Sequence, residues 1–228
     1  MTELLSVGGK QVRIDVYEPT SSASGLSPAI ILLHGSGGNL EWWLDRISPP
    51  LKAAGIALFA PHYFDGSGTD HPDYKTIIDG VHFPMWLETV QATLHKVRTR
   101  PGIDPSRVAL VGVSLGGFLA LALAAKLSAS PEADEHHAIR CIVDLAGGLA
   151  EPYASVATKD FPTTLVVHGE EDRVVSIEDA HKLIARLTEL NVEHETLLLP
   201  GEGHWFSDGI QLPLFLRLAQ FLRKNLGV

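Results

Sequence analysis

The sequence predicts an α/β fold: a three-layer α/β/α sandwich around a mostly parallel sheet of about eight strands. Three observations point there. Short apolar runs of strand length alternate with helical stretches from about residue 29 onward. The strand segments are continuously apolar, as strands buried on both faces must be. Gly-rich turns follow several of them, at 35–38 and 112–117, and the alternation implies βαβ units with right-handed crossovers.

In chain order, residues 11–17 alternate around Val12, Ile14 and Val16, the pattern of a half-exposed strand. With residues from about 3 onward they predict an antiparallel edge. Residues 29–33 form the first buried strand. Residues 42–54 read as a helix that Pro49-Pro50 breaks or restarts. A strand at 56–60 precedes a long loop, 61–83, and then a helix at 85–98. The strand at 108–112 leads into 115–127, a helix apolar nearly all round and therefore buried. Strands follow at 139–145 and 164–167. The helix at 177–190 is amphipathic, with Ala180, Leu183, Ile184 and Leu187 on one face. A strand at 195–199 and a helix at 212–226 close the chain. Residues 20–27 and 132–137 read as short loops, so residues 1–228 are expected to form one domain.

Composition agrees with a packed protein. Of 228 residues, 45% are apolar and 20% charged. A chain of this size buries roughly 70–75% of its unfolded surface. The net charge of −9 argues against a nucleic-acid or anionic-membrane partner. No apolar run reaches the roughly 20 residues of a membrane span, and no basic–apolar leader opens the chain. Cys141 is the single cysteine and sits in an apolar strand, which suits an inert buried thiol. These features predict a cytoplasmic protein, monomeric or homodimeric.

The chemistry concentrates at turns after strands. Gly112-Val113-Ser114-Leu115-Gly116 matches G-x-S-x-G between a strand and a helix, the context that motif needs. A serine there sits on a sharp turn at a helix N-terminus, where backbone N–H groups favour developing negative charge. Ser114 is therefore the expected nucleophile. Its base should be a histidine beyond a strand end, and His204 follows the 195–199 strand through Pro200-Gly201-Glu202-Gly203. Asp144, Glu170, Glu171 and Asp172 compete to orient that histidine. Asp172, a few residues past the 164–167 strand, is preferred, and Asp144 is its rival. Leu115 and Ser36, with Gly37 as second choice, are expected to supply oxyanion-hole N–H groups. Trp42, Trp43, Tyr63, Phe64, Phe83, Trp86, Trp205 and Phe206 are the expected aromatic lining of a substrate pocket. His136-His137, beside Asp134 and Glu135, reads as a solvated loop rather than a metal site. No metal or organic cofactor is expected, and the expected partner is a small-molecule ester.

Together, His34-Gly35-Ser36-Gly37-Gly38, Gly112-Val113-Ser114-Leu115-Gly116-Gly117, the stretch His168-Gly169 to Asp172-Arg173-Val174-Val175, and Gly203-His204 resemble the α/β-hydrolase superfamily. Small size, lack of a long cap insertion, and Pro61-His62-Tyr63-Phe64-Asp65-Gly66-Ser67-Gly68-Thr69 are similar to its dienelactone hydrolase branch. The resemblance implies a hydrolase without a large cap domain. One departure is clear. Dienelactone hydrolases of the named activity use a cysteine nucleophile and a glutamate in the early loop; here Ser114 stands and the loop has no glutamate. That difference points to a serine carboxylesterase on the same scaffold; a lactone, thioester or peptide hydrolase using the same triad, or a non-catalytic hydrolase-fold ligand-binding protein, is the alternative.

Overall fold

A computed structural model describes residues 1–19, 25–132 and 138–228. The segments 20–24 and 133–137, including the His136-His137 pair, lie outside the described residues. The chain runs β1 (Thr2–Val7), β2 (Lys10–Tyr17), β3 (Ser27–Leu33), α1 (Leu40–Ala53), β4 (Ala57–Pro61), α2 (Tyr74–Ile78), α3 (His82–Arg98), β5 (Ile103–Val113) and α4 (Leu115–Ser128). It continues through β6 (Cys141–Leu145), α5 (Tyr153–Val156), β7 (Thr163–Gly169), α6 (Ile177–Glu189), β8 (His194–Leu199) and α7 (Asp208–Leu226).

One eight-stranded sheet has the order β1-β2-β4-β3-β5-β6-β7-β8. β1 and β2, and β2 and β4, pair antiparallel; from β4 across to β8 the pairs are parallel. The parallel strands are buried on both faces. Ala29, Ile31 and Leu33 of β3 pack with α3, α4 and α6, whereas Ile30 and Leu32 pack with α1 and α7. This two-sided burial is why the strand sequences read as unbroken apolar runs. Helix α4 is covered nearly all round, so it brings the start of its first turn rigidly against the sheet.

Three expectations need correction. Helix α1 runs unbroken through Pro49 and Pro50. The prolines remove N–H donors to the carbonyls of Asp45 and Arg46, but all four residues are at least partly exposed and water can take those acceptors. Helix α7 likewise starts at Asp208 and passes through Pro213, whose lost acceptor would be the carbonyl of exposed Gly209. The 61–83 loop also carries the short helix α2, capped by Asp73, whose carboxylate accepts the Thr76 N–H at 2.8 Å. Five residues are too few to show helical periodicity in a sequence. Among the described residues no helix is long and apolar enough to cross a membrane.

Candidate active site

Ser114 stands between β5 and α4 with φ 52° and ψ −117°. A non-glycine residue adopts that backbone only when its surroundings force it. Here they do. The Ser114 N–H donates to the Leu145 carbonyl at 2.7 Å, and its own carbonyl accepts from Gly117 and Phe118. A Cβ on Gly112 would lie 2.3 Å from the Gly116 carbonyl oxygen, and one on Gly116 would lie 2.2 Å from that of Leu33. Both glycines are thus required by backbone passing close to backbone. The Ser114 hydroxyl makes no capping bond to its helix.

The hydroxyl instead meets His204, with Oγ 3.0 Å from Nε2. On the other side of the ring, Nδ1 lies 2.7 Å from Asp172 Oδ2. Asp172 is aimed by its own turn: Oδ1 accepts the N–H groups of Val174 and Val175 at 2.8 and 2.9 Å. The structure therefore brings together the serine, histidine and aspartate expected at this site. Glu170 and Glu171 are exposed. Asp144 is buried at the end of β6, its Oδ1 wedged against Gly117 and Gly147, and the Nδ1 position on His204 belongs to Asp172.

The loop after β3 lies beside the serine, since a Cβ on Gly35 would stand 3.4 Å from Ser114 Cβ. His34 is buried, and burial lowers its pKa to about 4 against the opposing pull of its Gly35 contact, so the ring is neutral near pH 7. Nδ1 of His34 lies 2.7 Å from the Gly35 carbonyl oxygen, which also accepts the Gly38 N–H at 3.0 Å. With that carbonyl turned toward the loop, the Ser36 N–H of the same trans peptide points the opposite way. Among the described residues, the N–H groups of Ser36 and Leu115 meet no acceptor.

The aromatic residues divide into three groups. Trp42 and Trp205, with Trp43, Phe206 and Phe215, surround a cavity of about 250 Å³ that opens beside His204. Phe64 and Trp42 line a larger, more polar cavity of about 620 Å³, with Arg13, His62 and Asp65. Asn39 and Trp42, at the start of α1, border both.

The remaining aromatics line neither cavity. Tyr63 is wholly buried; its ring stacks on His34 at 4.1 Å and its hydroxyl donates to the His34 carbonyl at 2.6 Å, so it supports the loop. Trp86 is also wholly buried and donates its indole N–H to Ser67 Oγ at 2.9 Å. Phe83 packs against Tyr153, ring centroids 5.8 Å apart. Large aromatic rings close to strand ends bury more area by turning into the core. Asn39 and Phe215 were not expected at the site. No local signal marks Phe215, because only the docking of α7 brings it to His204. Cys141 is buried, which pushes its thiol up to about 12 and keeps it protonated. Among the described residues no cluster of three or more His, Cys, Asp or Glu side chains could hold a metal.

A sheet of this order, with a strained turn after β5 and polar side chains converging from the ends of β7 and β8, is the architecture of the α/β-hydrolases. Within that class the chain belongs to the dienelactone hydrolase family, whose profile matches residues 14–210. A Synechocystis sp. protein, provisionally named a carboxymethylenebutenolidase, is 28% identical over 213 residues, 90% of this chain and 86% of its own. Among solved structures, the dienelactone hydrolase-like promiscuous phosphotriesterase P91 from metagenomic libraries superposes with a TM-score of 0.80 at 19% identity, covering 99% of this chain and 98% of its own. Est1E from Butyrivibrio proteoclasticus gives 0.75 at 14% identity, covering 100% and 99%.

Proposed function

We propose that the protein is a carboxylesterase-like serine hydrolase that cleaves small or short-chain esters through an acyl-enzyme on Ser114. The observation that carries this reading is the unbroken contact from Ser114 through His204 to Asp172. In the first half-reaction, Ser114 Oγ adds to the ester carbonyl while His204 Nε2 takes its proton. Asp172 stabilises the imidazolium and holds its tautomer. The N–H groups of Leu115 and Ser36, with Gly37 next to them, bind the oxyanion. The tetrahedral intermediate collapses as His204 returns the proton to the departing alcohol, leaving the acyl group on Ser114. In the second half, His204 deprotonates water, which adds to the acyl carbon, and Ser114 leaves with the proton restored.

The aromatic cavity beside His204 suits a compact apolar group on one side of the scissile bond. The polar cavity across Asn39 and Trp42 suits a hydrated group on the other. A lactone is an internal ester and needs the same steps, so lactone hydrolysis is the second reading, favoured by the family match. Hydrolysis of p-nitrophenyl acetate, butyrate and octanoate by wild type and Ser114→Ala is the test. The expected result is turnover of the short esters and a folded Ala variant reduced by at least about 10⁴-fold, as when a triad nucleophile is removed. Equal trace rates in both proteins would refute the reading.

A further inference from the structure

Three buried polar atoms have no hydrogen-bond partner among the described residues: both carboxyl oxygens of Asp144 and Nδ1 of His168. Both side chains are wholly shielded. Folded proteins satisfy such atoms with protein groups or ordered water. The two side chains emerge on one face of the sheet, from neighbouring strands. Asp144 is opposite Val166 in the β6–β7 register, and His168 follows Val166 by two residues, so its side chain emerges on the same face. Asp144 Oδ1 occupies the slot between Gly117 and Gly147, where a Cβ on either glycine would stand 2.2 or 2.3 Å away. The turn bearing Gly147 is tied to β7, with the Ala146 N–H donating to the Val167 carbonyl at 2.8 Å.

We propose that one buried water joins Asp144 to His168, and that both are positioning residues that hold Asp172 behind His204. His168 Nε2 faces the Val175 carbonyl at 3.0 Å, which only accepts, so Nε2 carries the proton. The same nitrogen lies 3.4 Å from Asp172 Oδ2, the oxygen engaged by His204. Val175 in turn donates its N–H to Asp172 Oδ1. The His168 ring therefore braces the turn that aims Asp172. With Nε2 donating, Nδ1 takes the accepting role in the proposed bridge, so a donor must reach it. A protonated Asp144 gives its O–H to the water, and the water gives an O–H to Nδ1.

The surroundings keep Asp144 in that donor form. Burial raises its pKa to about 8, opposed by the Gly147 backbone N–H, which approaches the carboxyl without reaching hydrogen-bond geometry. The groups facing it are sparse. The adjacent β5 position is Gly112, and β7 offers Val166 and His168. Helix α4 has no charged residue before Lys126. Helix α6 brings Asp179, partly exposed beside Gly148 with Lys182 at 3.9 Å.

The test uses the full chain and has two arms. The first is structural and independent of turnover: a high-resolution crystal structure, with ¹⁵N-histidine spectra of the same protein. A water within hydrogen-bond reach of Asp144 and His168 Nδ1, and a His168 tautomer protonated at Nε2, are expected. Density that satisfies both groups elsewhere overturns the proposal. The second arm rests on the hydrolase reading. Asp144→Leu, similar in size but without a donor, should lower kcat about tenfold with KM within twofold. Asp144→Asn, which keeps a donor, should stay within threefold of wild-type kcat and lose the fall in activity above about pH 8. Wild-type kcat and pH profile in Asp144→Leu overturn the link; if that variant does not fold, an Asp144→Asn profile that still falls above pH 8 does so. A wild type inactive on all esters refutes the hydrolase reading alone, and the first arm still decides the water.

Discussion

A carboxyl buried in its neutral form ties stability to pH with an unusual sign. Asp144 rises from 3.8 to about 8 in the folded chain, chiefly through burial. Between those values the folded state holds a proton that the unfolded state has released. Stability from this residue therefore falls as pH rises from about 4 to 8 and is level above. At about 1.4 kcal/mol per unit, the difference is on the order of a few kcal/mol at pH 7. Denaturant titrations of wild type and Asp144→Asn should diverge in the variant's favour as pH climbs through that window. A constant gap from pH 4.5 to 8 would contradict the assignment. His34 has the converse character: burial lowers its pKa to about 4, so it is held uncharged beneath the loop that carries Ser36.

At the scale of elements, the turn between β5 and α4 depends on close backbone packing. Gly116→Ala would press a methyl group into the Leu33 carbonyl, 2.2 Å away, and neither chain can yield cheaply. Several kcal/mol of stability and more than about 100-fold in ester hydrolysis should be lost. Gly209, inside α7 with open space where a methyl group would stand, is the contrast; Gly209→Ala should raise stability by about 0.5–1 kcal/mol. Thermal unfolding of the pair checks both signs. The same elements explain what could be read beforehand. Residues 29–33 and 56–60 declare themselves because two-sided burial leaves no polar position. Ser114, Asp172 and His204 could be picked out because each follows the C-terminal end of a parallel strand. Tyr63 and Trp86 could not be placed, since the direction of a ring depends on which cavity the packed elements leave. The continuity of α1 through Pro49-Pro50 depends on solvent reaching the carbonyls of Asp45 and Arg46, a tertiary fact absent from local sequence.

Across the whole molecule, ion pairs fasten the antiparallel edge to the elements beside it: Lys96 of α3 reaches Glu3 at 3.3 Å, Arg13 of β2 reaches Asp65 at 2.9 Å, and Arg100 makes the densest cluster. Arg100, just past α3, donates to both carboxylate oxygens of Glu3 in β1 at 3.1 and 2.8 Å and to Glu18 at 2.9 Å. Its guanidinium also lies over the Phe59 ring, 5.5 Å from the centroid. These groups are partly exposed, so the cluster contributes about 1 kcal/mol. Arg100→Ala should speed amide exchange in β1 and leave ester hydrolysis unchanged; a fall in hydrolysis would mean that the edge reaches the site. The exposed indole at the mouth of the apolar cavity has a different use. Trp205 is 69% exposed, with its ring centroid 5.2 Å from that of His204, whereas Trp86 is sealed in the core. A protonated imidazole quenches a neighbouring indole by electron transfer, and a ligand over Trp205 strips away the water that reddens its emission. The protein's own fluorescence should therefore report both the charge on His204 and the filling of the cavity; Trp205→Phe should silence the first and leave Trp42 and Trp43, which line the same cavity, to report the second.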